Sequence, residues 1–371
     1  MSNNLYEANV QWRNRPQDQR YETLTELADA VKGRRMRSRS IDVEVKRLRM
    51  DTAGESLALS SPNLIAEPSH WSFGQFAKWV GAPPDYLRKL SSALTAENIN
   101  EGIQRGVKLD GKPLDELKLM SVTRPDGESD LQAVTSATYG RIWDADVADC
   151  VQRVVDKSGG RFHNPKAMVN GQARPSGLYA SDHDIFVFMI DGGSVLDAGP
   201  RAQLNRGFIA WNSETGAKSF GLMGFIFNMV CGNHIIWGAS EVNKIIIRHS
   251  QGGPARFDSE AMPTLLAYAN ESPKPLEDAI KRASSALLDE QPPKDDMELF
   301  KQVNTYASRF AKFTNTELKS GISFAKAEEG DCRTVWQLVQ GLTSYSRGFD
   351  YVDARVDLET RAGKLMTPFN N

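Results

Sequence analysis

Cysteine is scarce. The 371 residues hold three, Cys150, Cys231 and Cys332, odd in number and far apart. That excludes a disulfide-built scaffold and fits a reducing compartment. Long apolar runs are absent too. The most apolar stretch, Phe220 to Trp237, is interrupted by Gly221, Gly224, Asn228, Gly232, Asn233 and His234. A membrane helix does not carry so many polar and flexible positions. Met1 to Arg20 is polar and mixed in charge, without the apolar core of a signal peptide. A cytoplasmic protein with no membrane partner is expected. The net charge is only −2, so no global field draws nucleic acid or anionic lipid. No phosphate-binding loop, dinucleotide fingerprint, paired-histidine zinc helix, kinase signature or nucleophile elbow is present. No cofactor and no enzymatic activity are expected.

What is present is an ordinary globular composition, 40% apolar and 25% charged. Leu24, Leu27, Ala28 and Val31 fall at helical spacing, and Ile41, Val43 and Val45 alternate as in a strand with one solvated face. Residues 70–105 read as short helices, with Ser72, Asp85 and Thr95 at their starts and Gly81 to Pro84 as a stop. A hairpin turning at Pro125-Asp126-Gly127 precedes a helix opened by Asp144. Residues 161–250 read as mostly β, and the chain from Ser259 onward as helical. Gln291 to Asp296 is the clearest linker, with helices over 297–320 and 333–346. The expected class is α+β: a mixed or antiparallel central sheet with hairpins, flanking helices and a helical C-terminal region. The composition divides the chain into 1–110, a basic arm and helical region; 111–255, a central β-rich domain; and 256–371, a helical region, with one continuous domain as the alternative.

Five groups of residues carry candidate chemistry. Lys32 to Arg49 holds eight basic residues against Asp42 and Glu44. Guanidinium groups bind phosphates bidentately and release counterions, so Arg34, Arg35, Arg37, Arg39, Arg47 and Arg49 are candidates to hold a nucleic-acid backbone. Tyr139, Arg141 and Trp143 would stack bases or contact a phosphate, or else belong to the core. Arg206 to Gly216 opens on Arg206, a further nucleic-acid-binding candidate, and ends in the hairpin loop Asn212-Ser213-Glu214-Thr215-Gly216, which either binds a ligand or bonds its own backbone. Cys231 and His234 lack a second Cys/His pair, so no metal site is expected. Asp182-His183-Asp184 positions a histidine between carboxylates without a nucleophile in an elbow motif.

Arg206 to Gly216 followed by Phe220 to Gly238, with its Asn-Met-Val-Cys-Gly-Asn-His core, resembles the phage- and plasmid-borne domain of unknown function numbered 932. Phe73 to Gly106, Leu178 to Asp191 and Thr334 to Arg361 are similar to the same family. The resemblance singles out Trp211, Asn212, Ser213, Glu214 and Asn233 as a family-motif loop, but it brings no catalytic residue. It implies a mobile-element protein near single-stranded-DNA handling. The hairpin-then-helix order around residues 117–157 is similar at fold level to annealing recombinases, whose core is a sheet backed by one helix and which often form rings.

The leading expectation is therefore a non-enzymatic nucleic-acid-binding protein, with single-stranded DNA the favoured partner and a homo-oligomer expected by analogy. One alternative is an inhibitor or decoy that binds a host defence complex, with a phage or host protein as partner. Another is a metal-dependent nuclease using Asp182, Asp184 and Glu214.

Overall fold

Thr23 and Glu26 open the first helix by a reciprocal cap. The Thr23 hydroxyl accepts from the Glu26 amide, and the Glu26 carboxylate accepts from the Thr23 amide. In this computed structural model the chain is described over residues 16–109, 112–169, 172–197, 203–228, 234–235, 244–272, 274–349 and 352–369. Helix α1 (Leu24–Met36) buries Leu24, Leu27, Ala28 and Val31, the stripe its spacing predicts. Strands β1 (Ser38–Glu44), β2 (Arg49–Ala53), β3 (Ser56–Ser61) and β4 (Leu64–Pro68) follow.

Helices α2 (His70–Trp79), α3 (Pro84–Leu87) and α4 (Ser92–Arg105) come next. Their starts differ from expectation. Ser69 and Ser91 cap α2 and α4 through their hydroxyls. Ser72 and Thr95 lie inside those helices, buried, and donate to the Leu131 and Leu87 carbonyls. A serine or threonine one turn into a helix resembles a cap in sequence; only the backbone direction separates the two. A small ribbon, β5 (Val107–Leu109) with β6 (Lys112–Leu114), leads to the hairpin β7 (Glu116–Thr123) and β8 (Ser129–Ser136).

These strands form one six-stranded sheet, ordered β1-β7-β8-β4-β3-β2 and antiparallel except between β4 and β8. In a flat sheet the outer strands would stand about 24 Å apart, at ~4.8 Å per strand. Glu44 and Arg49 are separated by a chain segment that spans at most about 18 Å. The sheet therefore curls, and its inner face closes on Phe73, Phe76, Ile99 and Ile103 from α2 and α4. The outer edge of β2 is covered by α4: the Asn100 side chain both accepts from the Met50 amide and donates to the Met50 carbonyl.

Helix α5 (Asp144–Lys157) follows the hairpin, but it does not back it. Its buried face, with Val147, Val151 and Val154, packs with α1 onto a second sheet. The likeness to an annealing core, a sheet backed by the helix that follows it, is not realised by this hairpin. Nor does Asp144 cap α5. Trp143 holds the cap position, and Asp144 is the first helical residue, buried.

The second sheet is antiparallel. It contains β9 (Phe162–His163), β12 (Leu178–Ala180), β13 (Ile185–Asp197), β14 (Gln203–Asn212), β15 (Phe220–Asn228), β16 (His234–Ile235) and β17 (Lys244–Ile247). A separate ribbon pairs β10 (Lys166–Val169) with β11 (Gln172–Pro175). Glycine opposite an aromatic recurs between β14 and β15, at Gly207–Phe225, Phe208–Gly224 and Trp211–Gly221. The Phe225 and Trp211 rings lie across the space that Gly207 and Gly221 leave. A Cβ on Gly221 would stand 2.0 Å from the Trp211 indole. Such pairs pin the register.

One face of this sheet meets α1, α5, α6 (Gly253–Arg256), a π-turn (Phe257–Ala261) and α7 (Met262–Asn270). The other is aromatic, with Tyr179, Phe186, Phe188 and Phe225 buried.

The C-terminal helices are α8 (Lys274–Ser285), α9 (Asp296–Ala307), α10 (Asn315–Glu329), α11 (Val335–Ser346) and α12 (Val352–Lys364). The single helix expected over 297–320 is two, because Thr314 and Glu317 form a second capping box. Gly321 and Gly341 bring α10 and α11 into backbone contact; a Cβ on Gly341 would meet the Gly321 carbonyl oxygen at 2.0 Å. Residues 291–296 join helices that share one core, with Ile280, Leu299, Val303 and Leu338.

The chain is thus α+β, with mixed and antiparallel sheets and a helical C-terminal region, as the sequence predicts. The expected boundary at 110/111 falls inside the six-stranded sheet, because β1 is paired with β7 across it. No helix among the described residues is long and apolar enough to cross a membrane.

Candidate nucleic-acid interface

The basic run does not form one patch. It divides between the last turns of α1, strand β1 and the turn leading to β2. Strand β1 sets its ends about 20 Å apart, at ~3.3 Å per residue. Lys46 and Arg47 pair with Glu44, and Arg49 pairs with Asp51. Arg47 and Arg49 thus stand apart from Arg34, Arg35, Arg37 and Arg39.

Of those four, Arg34 and Arg35, with Lys32, face the start of α5. Lys32 meets Asp149 at 2.7 Å, Arg35 is hydrogen-bonded to Asp146, and Arg34 lies 3.9 Å from Asp144. From Lys32–Asp149 to Arg35–Asp146 one residue number rises by three as the other falls by three, so α1 and α5 run antiparallel here. Cations at a helix C-terminus and carboxylates at an N-terminus also suit both macrodipoles. Arg34 is half-buried and donates to the Ser181 carbonyl. Arg37 is exposed and bonds the Gly33 carbonyl at 3.2 Å. Arg39 is exposed on β1, with no acidic partner among the described residues.

Trp143 gathers two guanidiniums. Arg141 lies 3.6 Å and Arg35 4.9 Å from its ring. The two are not equally available. Arg141 is buried against Glu214, at 3.0 Å and with side-chain exposures of 7% and 5%, whereas Arg35 is 43% exposed.

The loop over residues 212–216 is a joint rather than a binding loop. Asn212, Ser213, Glu214 and Thr215 are all buried. Asn212 donates to the Ile142 carbonyl and to Asp144, both at 2.8 Å, and Glu214 accepts from the Asp144 amide. From helix α2, Trp71 and Gln75 both donate to the Thr215 carbonyl. Tyr139 donates to the carbonyls of Ser213 and Glu214 and stacks on His249, with centroids 5.1 Å apart. Its ring is therefore not open to a base, and burial pushes its phenol far above the ordinary range. Burial, with the Glu214 charge second, raises the Asp144 carboxyl well above its ordinary value. Trp211 is half-buried over Gly221. Asn233 and Cys231 lie outside the described residues.

Arg206, a candidate for nucleic-acid binding, is instead structural. Its side chain is buried, bonded to Asp191 at 3.0 Å and to the carbonyls of Tyr268, Ala269 and Glu271. It satisfies the orphan carbonyls at the end of α7.

Ser181, Asp182 and His183 lie together without forming a nucleophilic triad. Ser181 and Asp182 both meet the same ring nitrogen of His183, Nδ1, and the Ser181 hydroxyl donates to Asp184. The His183 hydrogen bond holds the Asp182 carboxyl below the usual carboxylate range. With Asp182 on His183, Asp184 on Ser181 and Glu214 on Arg141, the three do not meet on one ion. Among the described residues no group of three His, Cys, Asp or Glu side chains is placed to hold a metal.

The partners that sequence reasoning missed are Asp146, Asp149, Trp71 and Gln75. The first two carry a faint signal, since they sit at helical spacing in the first turns of a predicted helix. The others carry none, because they act across about 140 residues of chain.

Comparisons with protein-family models, curated proteins and solved structures find no match to this chain.

Proposed function

We propose that this chain is a non-enzymatic nucleic-acid-binding protein that holds the sugar–phosphate backbone, preferentially of single-stranded DNA, across the end of α1 and the start of β1. The observation that carries the reading is the convergence of Arg35 and Arg141 on Trp143, beside the exposed Arg37 and Arg39. Arg35, Arg37 and Arg39 contact phosphates. Arg141, fixed by Glu214, orients the indole.

Three phosphate contacts give a salt slope of about −2, at ~0.7 per contact for single strands. Raising salt fourfold, from ~50 to ~200 mM, then weakens binding about 20-fold. Anisotropy of a labelled single-stranded oligonucleotide at both salts measures this. Arg37→Ala/Arg39→Ala lowers the affinity and flattens the slope by roughly two contacts. Absence of binding at the lower salt, or binding indifferent to that double variant, refutes the proposal.

A further inference from the structure

Of the cations proposed to hold phosphate, Arg35 is already occupied by a carboxylate of the same chain, and so is Lys32 one turn before it. Lys32 is held by Asp149 and Arg35 by Asp146, and all four side chains are between 36% and 47% exposed. Asp146 and Asp149 lie three residues apart on α5, which puts them on one face, with Cβ atoms about 5–6 Å apart. Two anionic groups, one helical turn apart, thus face two cations on α1 in a fixed antiparallel register. Trp143, at the cap of α5, carries the Arg35 guanidinium on its ring.

We propose that Asp146 and Asp149 act as built-in competitors for the nucleic-acid backbone. They occupy Lys32 and Arg35 in the free protein and are displaced when consecutive phosphates of a strand arrive. This deepens the nucleic-acid reading and rests on it. It also narrows the ligand. One isolated phosphate replaces one carboxylate and leaves the other pair closed. A strand presents neighbouring phosphates and replaces both, so the device favours a polyanion over a free phosphate ion.

Exposed ion pairs of this kind are weak enough to exchange and strong enough to register. Releasing both strengthens binding by about 2- to 30-fold. The test compares single-stranded oligonucleotide affinity at ~50 mM salt for the wild type, Asp146→Asn/Asp149→Asn and Asp156→Asn. Asp156 is exposed near the far end of the same helix; its variant changes the net charge by one unit, as each substitution in the double variant does, and so sets the correction per charge. Asp149→Asn alone, at a half-exposed pair, gives the same sign should the double variant fold poorly. Tighter binding of the α5 double variant, with Asp156→Asn close to wild type, supports the inference. Wild-type inorganic phosphate competition stays weak under the same conditions. If wild-type protein binds DNA and the double variant binds no tighter than Asp156→Asn, the competition is refuted and the nucleic-acid reading stands. If neither wild type nor variants bind, the nucleic-acid reading falls and this inference falls with it.

Discussion

Glu214→Gln tests whether the loop over residues 212–216 is held as a joint. Glu214 and Arg141 pair at 3.0 Å with almost no solvent on either side chain. Glu214 also accepts from the Asp144 amide at 3.3 Å. The substitution keeps the shape and a hydrogen-bonding oxygen but removes the charge, and leaves a buried guanidinium uncompensated. Breaking such a pair from one side costs about 3–5 kcal/mol. At ~2.1 cal/mol/K per residue, unfolding of 371 residues as one unit carries about 0.8 kcal/mol/K. The melting temperature should therefore fall by about 4–6 °C. Arg141→Met/Glu214→Gln removes both charges and leaves no lone ion. It is expected to cost less than the sum of its two singles, by more than about 1 kcal/mol. Urea and thermal melts of the four proteins close the cycle. A Glu214→Gln protein within about 1 kcal/mol of wild type, or strict additivity, would show that the pair does not hold the joint.

Two further outcomes follow from the same structure. Gly221→Ala places a methyl group where the Trp211 ring lies, 2.0 Å from its nearest atom, and should destabilise by about 1–3 kcal/mol or more. Trp211→Ala in that background should recover part of the loss in a urea melt, and no recovery would place the strain elsewhere. Burial pushes the His249 imidazole below its ordinary value, so the folded state holds it neutral where the unfolded chain binds a proton. Its contribution is then complete above about pH 6.5 and is lost as pH falls from there through the lowered folded value. His249→Asn should flatten that limb of a urea-midpoint profile taken between about pH 5 and 8, and an unchanged limb would assign it to another group.

Local periodicity made the elements legible, and long-range pairing decided their use. The α1 stripe, the β7–β8 hairpin and α5 are visible as alternating or helical apolar spacing. Nothing in that spacing says that α5 leaves its hairpin and joins α1 on the other sheet. The Leu131 carbonyl that takes up Ser72 lies 59 residues away, which is why a buried helical serine passed for a cap. Arg206 belongs to the same kind of error. Its residue type suits a phosphate, but its three carbonyl partners come from the end of a helix some 60 residues downstream. The hairpin loop was visible as a loop because Gly216 allows its positive φ of 87°. Its burial came from Trp71 and Gln75, which no local rule connects to it.

Charge shows the limit most clearly. Counted along the sequence, Lys32 to Arg49 is a strong positive segment. Counted in space, Asp144, Asp146 and Asp149 stand over its first half, and Glu44 and Asp51 over its second. Each pair joining α1 to α5 spans more than a hundred residues, beyond any window over which charge is read locally. The field left to a polyanion therefore comes from Arg37, Arg39 and the exposed part of Arg35, not from the whole run. A ligand that binds here must also outcompete two carboxylates. Affinity is then set as much by what α5 withholds as by what α1 and β1 present, and acidic residues on α5 are the positions at which a change of charge should matter most.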